Sequence, residues 1–318
     1  MGRFVLRMVG QALGTLLVAS VLIFLVLRVL PGDAATVALG VTATPDALAA
    51  WRAAHGTDRP LLLQYGIWLL GLVRGDFGQS FVTGRSLTPF ILDRVQVTLI
   101  LVGLGMLLAL LIAVPLGVLA AVKQRSWIGA VIEGLSQIGV AIPAFLIGLL
   151  LISFFAVRSG ILPSGGWVPP AFDFLAFLRR IILPVLTLGL VQAAILTRYV
   201  RAAVLEQLNQ DYLRTARSIG NRKMAALWRH GLRNAAIPML TIAGIQLATL
   251  LIGAVVIERV FQIPGIGSML VDSVANRDLV AVQGIVMVLV ALVVLINLLV
   301  ELLYAAIDPR IRTGVDVA

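Results

Sequence analysis

Of the 318 residues, 60% are hydrophobic and 13% are charged, against roughly 45–50% and about 25% in soluble domains. A soluble globule of this length cannot bury so many apolar side chains, which excludes a soluble enzyme. There are no cysteines, which excludes disulfides and thiolate sites, and the net charge of +10 indicates membrane orientation rather than nucleic-acid binding.

Long apolar runs predict an all-α polytopic membrane protein with six transmembrane helices. No charged residue lies inside any run, and we expect the fourth and sixth helices to continue to about residues 203 and 303. The runs fall at about 9–27, 97–122, 134–157, 181–197, 237–257 and 279–300.

Basic residues predict the orientation. If both termini are cytoplasmic, the inner segments hold 14 basic and six acidic residues, a net charge of +8, and the outer segments hold 11 basic and nine acidic residues, a net charge of +2. Arg3 and Arg7 before the first run also suit a signal peptide, with Ala34 and Ala35 as a cleavage alternative. The length of the first run favours a retained span.

The spans divide the chain into four parts. We expect a first transmembrane helix at 1–30, an extracytoplasmic segment at 31–96 with helices at 46–55 and 61–73, and a cytoplasmic tail at 306–318. The transmembrane core at 97–305 would include a long cytoplasmic loop at 205–236.

No catalytic, cofactor or metal site is predicted. A phosphate-binding loop needs a Gly-Lys pair, but Lys123 follows Val122 and Lys223 follows Arg222, so the chain is not expected to hydrolyse ATP. Ion-coupled carriers usually place carboxylates or histidines within their spans, whereas these spans offer neutral groups. This leaves a channel, a facilitator or a subunit driven from outside, with Gln246 and Thr249 as candidate pathway residues.

The sequence of the cytoplasmic loop predicts two short helices with a break at Gly220. Asp211 would cap the first helix, 212–219, and Gly220 would form a left-handed turn. The loop could be a basic amphipathic helix on anionic headgroups, or a rigid elbow that docks on a partner. One face of the second helix would carry Met224, Leu227, Trp228, Gly231 and Ala235.

Motifs along the whole chain resemble the inner-membrane permeases of ATP-binding-cassette (ABC) importers, in the dipeptide/oligopeptide/nickel branch. The loop carries Asp-Tyr-Leu-Arg-Thr-Ala-Arg-Ser-Ile-Gly at 211–220 and Arg-His-Gly-Leu-Arg-Asn-Ala-Ala-Ile-Pro at 229–238. Leu-Pro-Gly-Asp at 30–33, Glu-Arg-Val-Phe-Gln-Ile-Pro-Gly-Ile-Gly at 258–267 and the ending at 304–312 also fit. Arg214 stands where the general importer signature has Glu.

The resemblance implies the type I importer transmembrane fold in a bacterial inner membrane. Its partners would be the lipid bilayer, a homologous second permease, an external solute-binding protein and two cytoplasmic ATPase subunits that use ATP and Mg. The solute would be a dipeptide, an oligopeptide or a related small solute such as nickel. The coupling residues would be Asp211, Arg214, Thr215, Ala216, Arg217, Ser218, Ile219 and Gly220, with Ala216 allowing close approach to an ATPase groove.

Two alternatives remain at this point. A stand-alone channel or facilitator could use the same spans with a headgroup-bound basic helix, and it would need no ATPase. An intramembrane enzyme is disfavoured because the two histidines, His55 and His230, lie on opposite sides of the predicted membrane and outside the spans.

Overall fold

The computed structural model describes residues 2–29, 34–40, 42–220 and 222–307, and helices dominate these ranges. The helices are α1 (Gly2–Val29), α2 (Ala34–Leu39), α3 (Pro45–His55), α4 (Leu61–Val73), α5 (Thr88–Val122), α6 (Trp127–Ala141), α7 (Ala144–Leu151), α8 (Phe174–Leu208), α9 (Asp211–Ser218), α10 (Lys223–Ala226), α11 (Leu232–Val260), α12 (Ile266–Ala275) and α13 (Leu279–Ile307). Two π-helical segments, Ile152–Arg158 and Leu227–Gly231, continue α7 and α10.

Five of the described helices are long and apolar enough to cross a membrane: α1, α5, α8, α11 and α13. The pair formed by α6 and α7 with its π-helical extension supplies a sixth crossing if it is counted as one broken span. The all-α, polytopic fold predicted from the apolar runs is therefore confirmed.

The third predicted span is not a straight helix. Its two halves, Trp127–Ala141 and Ala144–Arg158, are bent by 97° at the break. Ile142 is extended there, with φ −87° and ψ 125°, because a residue that precedes proline is disfavoured in the helical region. The composition of the run is uniformly apolar, so hydropathy alone did not reveal the bend at Pro143.

The chain forms two compact units. The core unit consists of residues 98–263 and 296–307, and the N-terminal unit consists of residues 2–97 and 264–295. Helices α5 and α13 each contribute to both units.

In the core unit, glycines let helices approach closely. A Cβ on Gly117 would lie 2.5 Å from a methyl carbon of Val200, and one on Gly139 would lie 2.6 Å from the Cβ of Ala194. These glycines bring α5 and α6 against α8. Small residues at helix contacts are the usual solution in bilayers, where helices pack by shape rather than by exclusion of water.

In the N-terminal unit, Leu87 just before α5 and Ile91 in its first turn pack in one cluster with Ile266 of α12 and Ile285 of α13. Helix α4 contacts α1, where the hydroxyl oxygens of Ser20 and Tyr65 lie 2.9 Å apart. The helices predicted at 46–55 and 61–73 are present here as α3 and α4.

Candidate functional site

Helix α9 occupies the predicted elbow, but it begins one residue earlier than expected. Asp211 is its first helical residue instead of a cap that precedes it. The Asp211 carboxylate accepts a hydrogen bond from Nη1 of Arg214 at 3.2 Å, and its carbonyl accepts one from the hydroxyl of Thr215 at 3.0 Å. These side chains therefore stabilise the first turn of the helix from within.

The inner face of α9 is buried against the rest of the core unit. Leu213 is 1% exposed and Ala216 is 7% exposed, and both belong to a cluster with Val118 of α5 and Val204 of α8. The small Ala216 side chain therefore packs closely within the chain, and the close approach of the helix to an ATPase groove stays a prediction. The three-residue spacing from Leu213 to Ala216 was the available sequence signal.

Tyr212 connects α9 by hydrogen bonds to the ends of two membrane-spanning helices. Its hydroxyl donates to Oε1 of Gln207 at the end of α8, at 2.8 Å. The same oxygen accepts from Nδ2 of Asn234 at the start of α11, at 3.3 Å. A displacement of α9 therefore reaches both helices through hydrogen bonds as well as through apolar contacts.

Two glycines shape the elbow for different reasons. Gly220 has φ +96°, in the left-handed region, and no heavy atom lies within 4 Å of a Cβ built on it. Gly231 has φ −89°, but a Cβ there would lie 2.7 Å from a methyl carbon of Leu227. Gly220 is thus favoured by its left-handed backbone, as predicted, whereas a larger residue at 231 would require the Leu227 side chain to shift.

The face predicted for the second helix is divided by the π-helical segment Leu227–Gly231. Leu227 and Ala235 are fully buried, whereas Trp228 is 65% exposed and Met224 is 38% exposed. A π-helical turn bonds residue i to i+5 and so shifts the positions that share a face. The residues predicted to share one face are therefore divided between buried and exposed positions.

The remaining predicted residues form an exposed surface, which we call the outer surface of α9: Asp211, Arg214, Thr215, Ser218, Ile219 and Gly220. Ile219 is 77% exposed, and the Arg214 side chain is 68% exposed. Arg217 belongs to α9, but its side chain falls outside the described part of the structure. An exposed large apolar side chain beside a guanidinium suits a protein contact.

The two candidate pathway residues lie on α11. Gln246 is half-buried, and its Oε1 accepts from Nε2 of Gln192 on α8 at 2.9 Å. Thr249 is exposed, and its hydroxyl donates to the carbonyl of Ile245 at 3.1 Å. The buried Gln192, at 3% exposure, is the partner that sequence spacing did not place beside Gln246.

A carboxylate also lies within α11. The helix continues past the apolar run to Val260 and includes Glu258, which is fully buried and accepts from the hydroxyl of Thr98 at 2.5 Å. The apolar run that predicts the fifth span ends at residue 257, one residue before this side chain. Among the described residues, no three His, Asp or Glu side chains are grouped closely enough to hold a metal ion.

Family models match the chain along its length. Residues 113–313 match the binding-protein-dependent transport system inner membrane component, and residues 1–102 match the N-terminal part of such membrane components.

Curated relatives that match nearly the whole chain are named as transport system permeases. The chain is 38% identical over 312 residues to a protein named as a peptide transport system permease of Brucella abortus (strain 2308), covering 98% of this chain and 99% of the relative. It is also 38% identical over 312 residues to the glutathione transport system permease protein of Salmonella choleraesuis (strain SC-B67), covering 97% of this chain and 98% of the relative.

Solved structures share the fold. Two inward-facing structures of the MetNI methionine ABC transporter superpose with TM-scores of 0.53 and 0.58, at 23% and 20% sequence identity. The alignments cover 69% and 70% of this chain and 96% and 98% of the transporter chains.

Proposed function

The chain belongs to the family of binding-protein-dependent transport system inner membrane components and is a permease subunit of an ABC peptide importer in the bacterial inner membrane, and we propose that its 211–220 segment is where separate ATPase subunits drive transport. The observation that supports this proposal is that one face of α9 is buried against its own chain while the other is exposed.

The inner face of α9 anchors it to the spans. Burying Leu213 contributes about 1.5–3 kcal/mol of apolar transfer free energy, and Tyr212 adds hydrogen bonds to both flanking spans. The outer surface has no such role within the described chain, apart from the short bonds of Arg214, Thr215 and Ser218 inside α9 itself. A displacement of this surface moves α8 and α11, because Tyr212 of α9 hydrogen-bonds to a residue of each helix.

The proposed assembly has four kinds of protein. A homologous second permease would complete the pathway, two cytoplasmic ATPase subunits would use ATP and Mg, and an external binding protein would deliver the solute. This chain would have no ATPase site of its own, and both termini would be cytoplasmic. Gln246, with Gln192 beside it, and Thr249 would line this chain's half of the pathway for a peptide or a related small solute.

Cysteine crosslinking tests the docking surface in the assembled complex. Thr215→Cys and Ser218→Cys are both exposed, and we expect each to crosslink to an ATPase subunit. Thr83→Cys is an exposed control in the segment predicted to be extracytoplasmic, and it should form no such crosslink. Equal crosslinking at all three positions, or none at 215 and 218, would contradict the docking proposal.

Reconstitution tests the dependence on partners. The complete complex in proteoliposomes should take up peptide only with ATP and the binding protein, and this chain alone should take up none. Uptake by the chain alone at the rate of the complex would instead support the stand-alone facilitator.

A further inference from the structure

A cavity of about 520 Å³ lies between α6 and α8 in the core unit, away from the outer surface of α9. Three charged side chains line it, namely Arg198, Arg201 and Glu133, which leaves a net charge of +1. The volume far exceeds the roughly 30 Å³ share of one water molecule. The cavity is therefore large enough for a polar group of several heavy atoms.

The hydrogen-bond donors of the cavity outnumber its acceptors. Nη2 of Arg201 contacts Oε2 of Glu133 at 3.1 Å, but the buried Nε of Arg201 has no hydrogen-bond partner among the described residues. A buried donor left without an acceptor costs about 1–3 kcal/mol. The Nε donor of Arg201 is thus left without an acceptor oxygen.

Other donors in the lining are free as well. Within the described ranges, the side chains of Arg198, Tyr199 and Gln137 make no hydrogen bond or ion pair, and all three are exposed. A guanidinium fork binds phosphate oxygens with geometric specificity. Two arginines, a phenol and an amide around one cavity are the donor set that a phosphate group would use.

The position of the cavity selects a lipid as the source of that phosphate. Helix α6 begins at Trp127, which is 75% exposed, and exposed tryptophans mark the level of the headgroups. Glu133 lies six residues further along, a rise of about 9 Å. The same helix exposes the apolar Leu135 and Ile138, which acyl chains would cover.

We infer that this cavity binds the phosphate headgroup of an anionic phospholipid, such as phosphatidylglycerol, on the side of the membrane predicted to be cytoplasmic. The phosphate would accept from Nε of Arg201 and from Arg198, and the Glu133 carboxylate would limit the affinity by repulsion. Basic cavities between transmembrane helices are suited to such headgroups. The inference does not depend on docking by α9.

The test measures phosphatidylglycerol bound to the purified importer complex, by native mass spectrometry and by the rise in thermal denaturation midpoint on adding the lipid. Arg198→Gln should lower retention about fivefold, because it removes one of the two guanidinium groups that would contact the phosphate in the cavity. Glu133→Gln should raise retention, since the net charge of the cavity increases from +1 to +2. The matched control Arg125→Gln changes an exposed arginine outside the cavity lining and should bind lipid like the wild type.

Two further arms identify the source of the phosphate. Phosphatidylcholine and inorganic phosphate at equal concentration should give less protection than phosphatidylglycerol. Equal protection by inorganic phosphate, or equal retention of phosphatidylglycerol by wild type, Arg198→Gln and Glu133→Gln, would overturn the inference. Arg198 is exposed, so its replacement should not prevent folding, and the comparison remains interpretable.

Discussion

Two apolar side chains of the 211–220 segment have opposite roles. Leu213 is 1% exposed and anchors the helix to its own chain, whereas Ile219 is 77% exposed and has no comparable packing. A hydrophobic residue in this segment therefore cannot be assigned to docking from its chemistry alone. Its burial decides whether its loss affects stability or only coupling.

Replacing these two side chains should separate the effects. Leu213→Ala leaves a cavity, so we expect a loss of about 2–5 kcal/mol in stability together with lower peptide-stimulated ATP hydrolysis. Ile219→Ala should leave the thermal denaturation midpoint close to wild type and still reduce stimulated hydrolysis by the assembled complex. Identical stability losses in the two variants would contradict the two-faced description of α9.

Gly220 supplies a backbone conformation that other residues adopt at a cost. At φ +96°, Gly220→Val should strain the turn by about 1–3 kcal/mol. We expect coupling of ATP hydrolysis to peptide uptake to be abolished while membrane insertion persists.

Gly84→Val provides the control for that substitution. Gly84 also has positive φ, +68°, and open space around its Cβ, but it lies outside the elbow. The variant should have a similar backbone cost without uncoupling ATP hydrolysis from uptake. Wild-type transport by Gly220→Val would refute the role of the elbow.

Among the helices, the broken pair α6–α7 departs furthest from a simple span. Pro115 and Pro184 lie inside the continuous helices α5 and α8, whereas Pro143 coincides with an extended residue and a bend of 97°. The presence of proline therefore does not by itself predict a break. The extended conformation of Ile142 distinguishes this site.

Pro143→Ala should allow the two halves to straighten, because it removes the restriction on Ile142 and restores a backbone donor. Spin labels at the exposed Leu135 and Leu149 would each lie about 10 Å along the axis from the break. We expect their axial separation, measured by electron paramagnetic resonance, to rise from about 14 Å to about 21 Å. In the Pro184→Ala control the distance should stay the same, and an unchanged distance in Pro143→Ala would show that tertiary packing maintains the bend.

At the scale of the whole molecule, the distribution of charge predicts the direction of insertion. The surplus of basic residues in segments 123–126 and 198–233 predicts that the outer surface of α9 faces the cytoplasm. In intact cells, Thr83→Cys should react with a membrane-impermeant maleimide, and Thr215→Cys should react only after the membrane is opened. The reverse pattern would invert the topology and place α9 where no cytoplasmic ATPase could reach it.

Apolar length, turn residues and spacing were enough to predict six crossings, the position of the elbow and a left-handed turn at Gly220. The structure has five spanning helices among the described residues and a sixth crossing if α6 and α7 are one broken span. These features depend on local properties, namely apolar length against bilayer thickness and the conformations open to one residue. The motifs of the sequence also identified the family, because they recur along nearly the whole chain.

The direction in which each side chain faces depends on tertiary packing and could not be predicted from spacing. The tertiary structure turned Ala216 inward and Trp228 outward, bent the third span at Ile142, and brought Gln192 to Gln246 and Thr98 to the buried Glu258. The physical reason is that a helix surrounded by apolar or mixed residues has no intrinsic inner face. The neighbours that pack against it, and a π-helical turn that shifts its register, decide which residues are buried.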